Sequence, residues 1–183
     1  MAFELDLSKD TWPPLPTVAE RAVGFISQVD YITQQTILGG FDYTVGDTMY
    51  HFSYDGSDQT NFAQANTSAA LSLQLDSTPP EVLKAQFGTA EDGSPLLPVA
   101  LPAQWFIKWN GHIGGTVVEL SLNVKEYLSL AAAAGRHNTE TLAVGRILKD
   151  KLRNIVSDEE LDKIVKDNDI VNRYRIAQDN AVK

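Results

Sequence analysis

The chain has 183 residues, 43% hydrophobic and 21% charged, which is the balance of one globular domain, or of one domain with an extension. It has no cysteine, which excludes disulfides, thiolate metal sites and a cysteine nucleophile. The formal net charge of −9 makes a phosphate backbone a poor partner, and no apolar run reaches the roughly 18 residues of a membrane span. Neither nucleic acid nor membrane is therefore expected as a partner. The start, Met1-Ala2-Phe3-Glu4-Leu5-Asp6, does not read as a signal peptide.

Charge is unevenly spread. Residues 1–80 hold two basic and ten acidic side chains, whereas 136–183 hold ten basic and nine acidic. Residues 1–16 read as an extended proline-rich arm, because Pro13, Pro14 and Pro16 forbid helix. Trp12 and Leu15 are its anchors, and we expect them to dock on another subunit. A helix follows, with Thr17 as N-cap and Glu20 completing a capping box. Val18, Ala22, Phe25, Val29, Ile32 and Thr36 recur at spacings of 4, 3, 4, 3 and 4. So short a stripe reads first as core packing. The alternative is a protein-binding seam through Val18, Phe25, Val29 and Ile32. Gly39-Gly40 ends the helix.

Two aromatic-rich β-hairpins come next and are expected to form one small antiparallel sheet. Phe41, Tyr43 and Val45 alternate with polar residues, Gly46-Asp47 turns, and Tyr50, Phe52 and Tyr54 return. Between the hairpins a helix is predicted from about Asp58 to Leu73, capped by Ser57, with Phe62, Ala65, Ala69 and Leu73 on one side. Residues 76–103, rich in proline and glycine, read as a loop insertion with one short helix near Glu81–Phe87, and a loop of that length suits binding. In the second hairpin Trp105, Ile107 and Trp109 face one way, and Asn110-Gly111 is the predicted turn, in a connection that His112-Ile113-Gly114-Gly115 makes longer or bulged. Thr116, Val118 and Leu120 form its return strand. From Ser121 the period becomes helical as far as Val156, and so long a rod is expected either to break, at Gly135 or Asn138-Thr139, or to pack against other subunits. Ser157-Asp158-Glu159-Glu160 caps a last short helix, followed by a polar tail from Asp167. The fold class is therefore α+β: an N-terminal helix, a hairpin sheet and a long C-terminal helical region. The domain boundaries are the arm 1–16, a domain 17–156 with its insertion, and 157–183.

The usual chemical motifs are absent from the sequence: no phosphate loop, no dinucleotide fingerprint, no His-Glu-x-x-His and no Gly-x-Ser-x-Gly. His51, His112 and His137 are far apart in sequence and read as surface or packing residues, with His112 in a turn. Asp55-Gly56-Ser57-Asp58 reads as a turn and helix cap rather than a calcium loop. No cofactor, metal or catalytic residue is assigned. The hairpin aromatics read as sheet core, because Lys108 is the one basic residue among them.

The ordered features resemble a known domain. Gly39-Gly40-Phe41-Asp42-Tyr43, Tyr50-His51-Phe52-Ser53-Tyr54-Asp55 and the polar helix from Ser57-Asp58-Gln59 carry the likeness, with Trp105-Phe106-Ile107-Lys108-Trp109 and Val117-Val118-Glu119-Leu120. The alanine-rich stretch Tyr127–His137 and the charged run from Arg146 to Leu152 continue it, and it ends at Ser157-Asp158-Glu159-Glu160-Leu161. Together they resemble, over about residues 20–165, a domain of unknown function that recurs in tailed-bacteriophage tail and tail-fibre loci. The 76–103 insertion is longer than that family's linker. The resemblance implies a virion setting and no catalytic residues. It leads to the expectation of a non-enzymatic structural protein of a phage tail or baseplate, made in the bacterial host cytoplasm, which anchors or connects tail fibres. Its partners would be other phage structural proteins and further copies of itself, with a trimer expected from the fibre context. One rival is a tail-fibre assembly chaperone. Another is an enzyme acting on polysaccharide through the loop carboxylates Asp55, Asp58, Glu91 and Asp92.

Overall fold

The computed structural model describes residues 15–182. Their order is α1 (Val18–Leu38), β1 (Phe41–Val45), β2 (Thr48–Phe52), α2 (Gly56–Asp76), α3 (Pro80–Phe87), β3 (Phe106–Ile113), β4 (Thr116–Asn123), α4 (Val124–Arg153), α5 (Asp158–Asp167) and α6 (Ile170–Ala181). The expected α+β class, with two hairpins in one antiparallel sheet, is what the chain adopts. Strand order is β1-β2-β3-β4, and the two hairpins meet through the pair His51↔His112.

Contacts divide the described residues into two units. Thr33–Val144 is one; the residues up to Ile32 and from Gly145 onward make the other. The expected single block 17–156 is thus replaced by a different grouping. Its cause is that α1 and α4 change packing partners along their lengths. In the sheet unit Ile37 and the first half of α4 pack with the strands, around Phe41, Phe52, Phe62, Trp105, Leu122, Tyr127 and Leu130. In the helical unit Ala22, Val29 and Ile32 pack with Leu148, Leu152, Leu161 and Ile170.

Several boundaries differ from expectation for physical reasons. The second hairpin turns at Gly114-Gly115, not at Asn110-Gly111. The two glycines take φ 55° and 83°, the pair of positive values a type I′ turn requires. Gly111 lies within β3 opposite Val118, where a Cβ would come 3.1 Å from the Tyr50 side chain. His112 is accordingly a strand residue. Ser121 belongs to β4, and the helix starts only after Asn123, whose Oδ1 accepts from the N–H groups of Lys125 and Glu126 at 3.0 and 3.1 Å.

α4 then runs unbroken past Gly135. A mid-helix glycine costs only about 1 kcal/mol, and buried Leu130, Ala133 and Ala134 hold the preceding turn. The cap of α2 is Asp55 rather than Ser57. Its carboxylate accepts from Ser57 and Asp58 N–H at 2.8 and 2.9 Å, and Asp58 reaches back to the Asp55 N–H at 3.3 Å. Ser72 and Leu75 are buried on α2 while Leu73 is exposed. The expected polar tail is the helix α6, held by buried Ile170 and by Tyr174, whose ring meets that of Tyr31 at 5.3 Å. The short helix of the insertion is present as α3. The loop after it is tethered to α2, because the buried Ser72 hydroxyl donates to the Ala100 carbonyl at 2.7 Å.

Candidate functional site

The residues singled out for binding divide three ways. Trp12 lies outside the described residues. Leu15 is 91% exposed. The α1 stripe is used within the chain: Val29 and Ile32 are buried in the helical unit's core, and Val18 and Phe25 are half-buried against it. The stripe is therefore a core face, not a free seam. The same core takes Leu148 and Leu152 from α4, while the sheet unit takes Tyr127 and Leu130. The α1 stripe is thus packed within the chain, and each half of α4 contributes to a core of its own.

Two of the four loop carboxylates, Asp55 and Asp92, are engaged locally. Asp55 caps α2, and its pKa is lowered first by the Ser57 hydroxyl and then by the Asp58 N–H. Asp92 accepts from the Ser94 hydroxyl and N–H at 2.6 and 2.9 Å, which lowers its pKa in the same way. Among the described residues no group of three or more His, Asp or Glu is placed to hold a metal ion, and no helix is long and apolar enough to cross a membrane. His51 donates from Nε2 to the Gly39 carbonyl at 2.9 Å, with its Nδ1 2.8 Å from Asp42. It braces the corner between α1 and β1. His137 stacks on Phe41, ring centroids 5.7 Å apart.

What the structure does assemble is a groove of about 590 Å³ in the sheet unit. One wall is α2, with Asp58, Asn61 and Gln64; the other is the β3–β4 hairpin, with Lys108, Asn110 and Glu119. Half-buried Trp109 is part of the lining, its ring 4.4 Å from that of Phe62. Lys108 donates to Glu119 across the hairpin at 2.6 Å, and this contact raises the lysine's pKa. Among the described residues the side-chain amides of Asn61, Gln64 and Asn110 have no hydrogen-bond partner. The groove exists because β2 ends at Phe52 and the chain leaves for α2 through Ser53 and Tyr54, while β3 continues. Sequence reasoning missed it, since it depends on the relative lengths and register of two strands. With the turn moved to Asn110-Gly111, as the sequence suggested, β3 would be too short to leave it.

No family model, no curated protein and no solved structure matches this chain.

Proposed function

We propose that the protein is a non-enzymatic structural component of a bacteriophage tail or baseplate, connecting tail fibres to their neighbours by protein–protein contacts. One observation carries the binding part of this reading: the use of the sheet's outer face. On the inner face the aromatic side chains pack against α2 and α4. The outer face presents Met49, Phe106 and Val117, which are 65%, 62% and 57% exposed, among the hydrogen-bonded Asp42 and His51 and the Lys108–Glu119 ion pair. Large apolar groups framed by charge are the composition of a protein contact surface. Two of the four carboxylates considered for hydrolysis favour the same reading, since Asp55 and Asp92 are already hydrogen-bonded as cap and turn. The phage setting comes from the aromatic and glycine pattern set out in the sequence analysis.

The test is quantitative mass spectrometry of purified particles of the phage that encodes the chain, with a deletion of its gene. The protein should be present in fixed ratio to the fibre protein, and the deletion should yield particles without fibres. Fibres that misfold in its absence, with none of the protein in finished particles, would make it an assembly chaperone instead. Normal, fibred particles from the deletion would overturn both.

A further inference from the structure

The groove has a polar strand edge along one side. β3 spans Phe106–Ile113 and meets β2 through His51↔His112, at the end nearest its turn. The Gly114-Gly115 turn closes on Ile113↔Thr116, and a two-residue turn makes its closing pair a hydrogen-bonded one. By the alternation of an antiparallel ladder, Ile113, Gly111, Trp109 and Ile107 exchange bonds with β4. The N–H and C=O groups of His112, Asn110 and Lys108 point the other way. There His112 finds His51. Asn110 and Lys108 find no strand, and among the described residues nothing else bonds their main chain. Both residues are exposed. The open stretch from Phe106 to Asn110 is about 17 Å of strand. Facing it, Asn61 and Gln64 are three apart on α2 and so share a side of the helix, with their amides free.

An unpaired strand edge is a template for another extended chain. We propose that a short extended segment of a partner protein adds to the sheet in this notch, bonding the main chain of Lys108 and Asn110 on one side and the Asn61 and Gln64 amides on the other. Charge sets its character. The unit Thr33–Val144 carries eleven acidic and four basic side chains. In the groove Lys108 is already engaged by Glu119, which leaves Asp58 uncompensated. The segment is therefore neutral to basic. This argues against the chain's own first 14 residues, which hold three acidic and one basic side chain and end in Pro13-Pro14, without N–H donors. The free amides also suit the hydroxyls of a saccharide, but main-chain donors and acceptors at strand spacing favour a peptide. The inference rests on the reading of this protein as a protein-binding component and needs no phage setting.

The test titrates a positional-scanning library of acetylated octapeptides against the full-length protein, with amide hydrogen exchange read by NMR. A proline-free, neutral-to-basic pool should bind and slow exchange at the Lys108 and Asn110 amides at least tenfold. Asn110→Pro removes the N–H that faces the notch and leaves β4 its bonds, so it should weaken binding at least tenfold. Because a proline can also distort β3, the double variant Asn61→Ala/Gln64→Ala, at exposed helix positions, is run beside it with the same expectation. Failure of every pool to bind, or binding that leaves both amides exchanging as in the free protein, overturns the proposal. So does protection of those amides by maltohexaose in place of any peptide. Peptide binding by a protein absent from purified particles would uphold the notch and remove the tail reading. Peptide affinity unchanged in both Asn110→Pro and Asn61→Ala/Gln64→Ala would remove the notch and leave the tail reading intact.

Discussion

The Tyr127 phenol donates a 2.7 Å hydrogen bond to the main-chain carbonyl of Phe62, tying α4 to α2 beneath the sheet. Tyr127 is fully buried, and desolvation pushes its pKa well above the ordinary value of about 10. Tyr127→Phe should cost about 1 kcal/mol at neutral pH, measured by urea denaturation. The sign at high pH follows from linkage. The unfolded chain ionises this phenol near pH 10 while the folded chain holds it neutral, so stability falls as pH rises above about 10. Tyr127→Phe should make that alkaline fall shallower.

Asp55 gives the opposite pH dependence. Its folded pKa is lowered, so its contribution is present above the unfolded value of about 4 and lost as pH falls toward the folded one. Asp55→Ala should lower the thermal midpoint at pH 7 and flatten the acid limb of the stability curve below about pH 4. An unchanged acid limb in calorimetry would show that the cap contributes nothing.

Gly40 stands where the chain passes from α1 into β1, at φ 89°. A Cβ there would come 2.1 Å from the Phe52 carbonyl oxygen. Gly40→Ala should therefore destabilise the sheet unit by about 2 kcal/mol or more, combining a strained conformation with a backbone clash. Gly46, whose Cβ position is open, is the control: Gly46→Asn should cost far less, because asparagine tolerates the left-handed region its φ of 59° requires. Parallel urea melts of the two variants make the comparison.

The helical unit supplies a test of where the α1 stripe packs. Leu152 is fully buried against it, so Leu152→Ala should cost about 2–5 kcal/mol. Val29→Asp puts an unpaired carboxylate into the same core and should unfold the unit. Light scattering with circular dichroism distinguishes this from a seam between copies, where Val29→Asp would instead give smaller but fully folded particles.

The local chemistry was legible in the sequence wherever a short-range signal decided it. Thr17 with Glu20, Gly46-Asp47 and Ser157 with Glu160 mark a cap, a turn and a cap, and each is found in place. The aromatic alternation of β1 and β2 likewise placed the inner face. What was not legible depended on competition between distant parts. Two glycine-containing pairs, Asn110-Gly111 and Gly114-Gly115, both suit a tight turn. The second prevails because strand pairing then continues through Gly111 and seats Tyr50 against it. The period of α6 was hidden by its charged residues, and its helix depends on Ile170 and Tyr174 finding a core built from other helices. The groove carried no sequence signal, because Asn61, Gln64 and Asn110 are individually unremarkable polar residues and only the register brings them together.

The junction His51↔His112 also sets an order of assembly. Each hairpin closes over a two-residue turn and needs nothing distant to form, so each can appear in microseconds. Joining them closes a loop of about 60 residues, for which the length-dependent entropy cost is roughly 4 kcal/mol. That cost is recovered only when α2 and α4 have supplied the apolar floor beneath both hairpins. The central ladder is therefore the late event in folding. By the same reasoning it is where the sheet first parts under tension, leaving two intact hairpins on either side.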